Sequence, residues 1–135
     1  MKKLVIGLLV LFVLAACAGG TSASIHSQWK LASYGPASSQ TPAAADVETS
    51  IEFKSDGTLN GNVGCNGFGG DFKVDGDTLT FGSIVSTMMF CEGPGGEQET
   101  AALTVMHESA KFVLDGDTLT ITSADGRSAI VLARK

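Results

Sequence analysis

The sequence predicts a mainly β domain of antiparallel hairpins with one helix, on three observations. Apolar residues recur with period two from Thr49 onward, Asp- and Gly-containing turn signals separate the alternating runs, and one window breaks the period while lacking Gly and Pro. The charged fraction of 17% and the spread of apolar residues along the chain exclude a disordered polymer. Three Cys, at 17, 65 and 91, are too few for a disulfide-dense miniprotein.

The first strand begins near Gln28, where Trp29 and Leu31 share a face and Trp29, the only Trp, is expected to close one end of the core. Residues 35–45 contain Pro36 and Pro42 among Ser and Ala. They read as an exposed connection, since too few residues precede them to form a domain. Alternation then runs through Ile51 and Phe53, through Leu59, Gly61 and Val63, through Phe72 and Val74, and through Leu79 and Phe81. Residues 112–114, 119–121 and 130–132 supply the last strands. Ser55-Asp56-Gly57, Asp75-Gly76-Asp77, Asp115-Gly116-Asp117 and Ala124-Asp125-Gly126 each lie between two runs, so consecutive strands pair as hairpins.

Residues 97–110 follow Gly93-Pro94-Gly95-Gly96 and place Ala102 or Leu103, Met106 and Ala110 on one side, which predicts a helix. Thr100, Thr104 and Val105 lower its propensity by roughly a few tenths of a kcal/mol each, so packing on the sheet must hold it. Glu97 and Glu99 fall near the favourable end of its dipole. The stretch 72–81 returns at 112–121 with Asp-Gly-Asp-Thr-Leu-Thr identical. One echo is shared turn chemistry, not a solenoid, which needs about three stacked repeats.

Met1-Lys2-Lys3 followed by apolar residues 4–14 is an export signal, too short to span a bilayer of about 30 Å comfortably. It ends in Leu14-Ala15-Ala16-Cys17, which resembles the lipobox of bacterial lipoproteins. Cleavage is then expected after a signal peptide of residues 1–16, leaving Cys17 to carry diacylglycerol and a further acyl chain such as palmitate. An ordinary secretory cleavage site and a retained short anchor are the alternatives. Residues 17–27 read as a flexible tether and 28–135 as the domain. Removing residues 1–16 takes away Lys2 and Lys3 and no acid, moving the formal charge from −5 to −7. That balance disfavours nucleic acid and polybasic adhesion to lipid, so attachment falls to the acyl chains. The expected location is the bacterial envelope. Ala18 after Cys17 suits the periplasm-facing side of an outer membrane if the cell has two membranes.

The most informative stretch is Gly64-Cys65-Asn66-Gly67-Phe68-Gly69-Gly70, followed by Ser86-Thr87-Met88-Met89-Phe90-Cys91. With Trp29-Lys30-Leu31 upstream and Asp115-Gly116-Asp117 downstream, this order resembles the META domain of bacterial lipoproteins related to the heat-inducible protein HslJ. The resemblance implies a strongly curved, barrel-like antiparallel sheet with one helix packed on it. It also implies a role in envelope stress and antimicrobial tolerance without an established reaction. Phe90 and Ala102 depart from the pattern, in which the residue before the second Cys is small or Met and the helix position is bulky.

A non-enzymatic module working through an envelope protein or small ligand is therefore expected, without cofactor or metal. Binding of a small molecule on the concave sheet, or hydrolase or thiol chemistry, are the alternatives. Cys65 and Cys91 lie 26 positions apart with no Lys, Arg or His beside them to depress a thiol pKa. Export and acylation of Cys17 leave only these two thiols, which favours a structural disulfide. Zinc would need His26 and His107 as well, and neither His is placed by a motif for a Ser/His/acid site. Asp75, Asp77, Asp115 and Asp117 read as turn formers rather than calcium ligands, and no acid pair is flanked by a sugar-binding aromatic platform. The Gly-rich run leads into a strand, whereas a phosphate loop leads into a helix. Its glycines permit curvature and leave Asn66 and Phe68 accessible as part of a contact surface, to which Met88 and Met89 also belong unless they fill the core.

Overall fold

Alternation of buried and exposed side chains builds most of the wall of the molecule. The computed structural model describes residues 24–135; the expected signal peptide, Cys17 and the first part of the tether lie outside them. The elements are β1 (Gln28–Pro36), β2 (Thr41–Pro42), β3 (Ser50–Phe53), β4 (Thr58–Asn62), β5 (Gly67–Asp75), β6 (Thr78–Phe81), β7 (Val85–Ser86), α1 (Pro94–Val105), β8 (Ser109–Asp115), β9 (Thr118–Ser123) and β10 (Ser128–Arg134). All pairings are antiparallel. β1 meets β3 at Trp29–Ile51 and β10 from Trp29–Arg134 to Pro36–Ser128, closing eight strands in the order β1-β3-β4-β5-β6-β8-β9-β10. Closure leaves no long unpaired edge among them. β2 pairs with β1, and β7 continues beside β5 where β6 has ended.

An eight-stranded barrel is just wide enough for side chains to fill it. Trp29, Ile51, Phe53, Leu79, Leu119, Ile121, Ile130 and Leu132 are buried there, with Phe72 edge-on to Phe53 at 5.1 Å between centroids. The concave side is thus occupied by protein. Val74, expected inside, is 44% exposed, because β4 accompanies β5 only to Asp71 and the hairpin runs on past the rim.

The hairpin turns fall where the sequence places them. Gly76 and Gly116 take φ of +59° and +57° at the first loop position, as a type II′ hairpin requires. The repeated Asp-Gly-Asp does more than turn. Asp77 and Asp117 each accept the backbone N–H of the next strand, from Phe112 at 2.8 Å and Arg134 at 2.9 Å. Each also pairs with that strand's cation, Lys111 at 2.8 Å and Arg134 at 3.0 Å.

The helix differs from expectation at both ends. It starts inside the presumed breaker, because Pro94 occupies the first turn, where its missing N–H costs nothing. It stops before Ser109 and Ala110, which join β8 after Glu108 turns the chain at φ +58°. α1 packs on β1, β9 and β10 and lies across the barrel end opposite the Gly57, Gly76 and Gly116 turns.

The other end is closed by Trp29, fully buried, with the Arg134 guanidinium 4.4 Å from its ring centroid. Its indole N–H donates to the Ile25 carbonyl at 2.9 Å. Ile25 is itself buried, Ser27 accepts the Phe53 N–H, and Arg134 donates to the Ser24 carbonyl. Residues 24–27, read from sequence as tether, therefore belong to the domain.

Two outcomes follow from this packing. Trp29→Ala is expected to cost about 3–5 kcal/mol in a urea titration; a change below about 0.5 kcal/mol would mark Trp29 as a surface residue. The Lys111 hydrogen bond holds the Asp77 carboxyl below its ordinary range, and the Thr58 and Ser123 hydroxyls do the same for Asp56 and Asp125. Folded values below the unfolded value of about 3.9 give stability that is present above it and lost as pH falls through the folded values. The thermal midpoint should drop on acidification across this window, and less so in Asp77→Asn.

Candidate functional site

The Gly-Cys-Asn and Thr-Met-x-x-Cys stretches meet at the helix-covered end, between the β4–β5 corner, the segment after β7 and the first turns of α1. Asn62 folds the corner by accepting the Gly64 N–H at 2.8 Å and donating to the Cys65 carbonyl at 3.3 Å. Gly64 has φ +122°, and a Cβ there would sit 2.5 Å from Val47 and 2.8 Å from the Gly95 backbone. Only glycine lets the helix start come this close.

Asn66 occupies the centre and is 4% exposed. Its Oδ1 accepts the Thr87 hydroxyl and the Met89 N–H, each at 2.8 Å. Its Nδ2 donates to the Met89 carbonyl at 3.0 Å and to Glu99 Oε1 at 2.9 Å. Glu99 also accepts the Asn66 backbone N–H through its second oxygen. The side-chain amide thus pairs with Met89 as a neighbouring strand would, prolonging the β5–β7 ladder beyond the Thr87 N–H bond to Gly67. Cys65 and Cys91 form a disulfide, with Cα atoms 5.9 Å apart, that fastens the far end of the same segment.

Gln98, fully buried on α1, accepts the Ala44 N–H at 2.7 Å and donates to the Val63 carbonyl at 2.8 Å. Beside it the Tyr34 hydroxyl donates to Glu97 at 3.3 Å. Burial, then the Glu97 charge, pushes its pKa above the usual phenol range.

The expected contact surface divides. Asn66 and Phe68, read as accessible, are buried: Asn66 is saturated by protein partners, and the Phe68 ring lies over Gly61, where a Cβ would approach it to 2.7 Å. Met88 and Met89 are exposed at 93% and 62%, and Phe90 joins them at 89%. His107 is exposed beyond the helix, at the rim of an open depression of about 620 Å³ with Ile84, Leu103 and Met106. Among the described residues no three His, Cys, Asp or Glu side chains converge as a metal site would require.

The sequence model of the META domain matches residues 22–135. The chain belongs to the META domain family. Its fold is shared with an NMR structure of a protein from Burkholderia xenovorans, at 20% identity over 82% of each chain and a TM-score of 0.65. A second NMR structure aligns at 22% identity over 79% of this chain and 88% of the other, with a TM-score of 0.61. A crystal structure of a DUF4847 family protein from Bacteroides vulgatus ATCC 8482 aligns at 16% identity over 82% of this chain and 94% of the other, with a TM-score of 0.58. No curated protein matches the chain.

In this META domain the two motif stretches latch a loop. Sequence reasoning missed Gln98 and the clasping role of Glu99. A buried Gln carries no sequence signal, and Glu99 was legible only as a charge near a helix start.

Replacing both Cys65 and Cys91 by Ser opens a link spanning 26 residues and should cost about 3.5 kcal/mol on chain-entropy grounds, measured against wild type without reductant. Free thiols at both positions in non-reducing peptide maps of the native protein would reject the pairing. Asn66→Asp sets a second carboxylate against Glu99 and removes the donor to Met89. A loss of about 2–4 kcal/mol is expected at pH 7, shrinking below about pH 5 as the pair takes up a proton. Equal destabilisation at pH 7 and pH 4 would show that repulsion plays no part.

Proposed function

We propose that this META-domain protein is a lipid-anchored, non-catalytic module of the bacterial cell envelope, acting in envelope stress or antimicrobial tolerance through contacts made by the loop of Met88, Met89 and Phe90. One observation carries the reading. Three consecutive large apolar side chains stand in solvent on a loop whose backbone is fixed by Asn66 and by the Cys65–Cys91 bond. An apolar cluster kept exposed by such support favours a binding role. The polar atoms of Asn66 are spent on that support, which favours contact over chemistry.

Anchoring is supported by the basic start, the apolar run and the lipobox-like Leu14-Ala15-Ala16-Cys17. Two or three acyl chains give stable attachment where a single chain is marginal. Only residues 18–23 separate Cys17 from Ser24, which Arg134 binds at the Trp29 end of the barrel. An anchor at Cys17 would therefore hold that end towards the bilayer and the apolar loop away from it.

Cys17→Ser should move the protein from the membrane to the soluble fraction, and mass spectrometry of native protein should find acylated Cys17. An unmodified N-terminus downstream of Cys17 would reject the anchor. A Met88→Ser, Met89→Ser, Phe90→Ser variant should keep the wild-type melting midpoint yet fail to restore stress tolerance to cells lacking the protein. Full restoration would reject the loop as the working surface.

A further inference from the structure

The distribution of charge around the loop identifies the kind of partner it suits. Residues 31–53, 55–72 and 74–110, which form most of the helix-covered end, contain no Lys or Arg. Of the basic residues in 24–135, Arg127 lies at that end, in the β9–β10 turn, Lys54, Lys73, Lys111 and Arg134 lie towards the other, and Lys30 and Lys135 line a depression on the barrel side that also reaches Val47 and Glu48. Carboxylates lie beside the apolar triad on its Cys91 side. Glu92 follows the disulfide directly, and Asp46 and Glu48 rim an open depression of about 540 Å³ whose lining includes Val47, Gly64 and Cys65. Cys65 is bonded to Cys91, so the depression adjoins the loop.

We infer that the Met88-Met89-Phe90 loop and the carboxylates beside it dock a cationic amphipathic segment of a partner protein. This rests on the reading of the loop as a contact surface and adds the chemistry of what it contacts. Methionine side chains are flexible and polarizable, so they repack against varied apolar faces, and Phe90 supplies an aromatic anchor. An apolar stripe flanked by Lys or Arg on the partner would lie on the triad and set its cations against Glu92, Asp46 and Glu48. The fixed backbone at Met89 lowers the ordering cost of binding. The same acidic surroundings oppose insertion into a membrane rich in anionic lipid.

The test uses the folded, oxidised domain and a synthetic Leu/Lys amphipathic helix, with a Lys→Gln version of the peptide as its uncharged counterpart. Wild type should bind the Leu/Lys peptide with an affinity that falls as salt is raised, and the uncharged peptide about tenfold more weakly. The triple Ser variant, which keeps every charge, and the Asp46→Asn, Glu48→Gln, Glu92→Gln variant, which keeps the triad, should each lose about tenfold. Undiminished binding by the triple Ser variant would reduce the effect to general charge attraction and overturn the proposal. So would partition of wild type, but not of that variant, onto phosphatidylcholine vesicles with no preference for the peptide, an outcome that makes the loop a lipid contact. If the triple Ser variant still fails in cells while no peptide preference exists, the partner chemistry is wrong and the contact surface stands.

Discussion

The saturated amide of Asn66 is the interaction on which the rest of this end of the molecule depends. A buried primary amide has two donor hydrogens and an acceptor oxygen to satisfy, and leaving one unpaired costs about 1–3 kcal/mol. Here the oxygen takes Thr87 and Met89, and the nitrogen serves Met89 and Glu99. Three segments far apart in sequence are thereby fixed to one side chain: the β4–β5 corner, the segment leading to Cys91, and the second turn of α1. The disulfide adds a covalent tie across the same gap. Removing Asn66 would leave polar groups on all three segments without partners, so the whole end is sensitive to that one position.

Barrel closure makes such a latch necessary. Strands β6 and β8 pair only over Thr78–Thr80, and between Phe81 and Ser109 the chain keeps to the sheet only through the two residues of β7 before it forms the loop and the helix. Backbone ladders cannot hold this excursion. Side chains do it instead, with Gln98 tying the helix to both neighbouring loops and Gly64 with Gly95 allowing the approach. The opposite end has the complementary solution. Trp29 plugs it, and Arg134 joins the ring, the Asp117 turn and the chain at Ser24.

Much of this was legible in the sequence, because period-two alternation and Asp-Gly turns are local signals. Ile51, Phe53, Leu59, Leu79 and Phe81 point inward as their spacing indicates, and the repeated Asp-Gly-Asp forms equivalent hairpins. The helix was legible in kind and not in extent, since its buried stripe is Gly95, Gln98, Ala102 and Val105, half of which carries no apolar signal. The failure at Asn66 and Phe68 has a similar origin. A polar residue in a glycine-rich run looks like surface, and what buries it is a carboxylate 33 positions away. Exposure of Met88 and Met89 was legible only as one of two readings, and that of Phe90 not at all, because an apolar triplet in sequence resembles core until its backbone is found pinned from below.

A rigid backbone presenting apolar side chains to solvent unites the family motifs with the function proposed for the loop. Amide hydrogen exchange resolved at residues 66 and 87–91 of the native, oxidised protein tests this most directly. The Met89 amide, bonded to the Asn66 side chain, and the Asn66 amide, bonded to Glu99, should exchange only with global unfolding, while Met88 and Phe90 exchange far faster beside them. A Met89 amide exchanging as fast as its neighbours would contradict the latch, and with it a loop held ready for a partner.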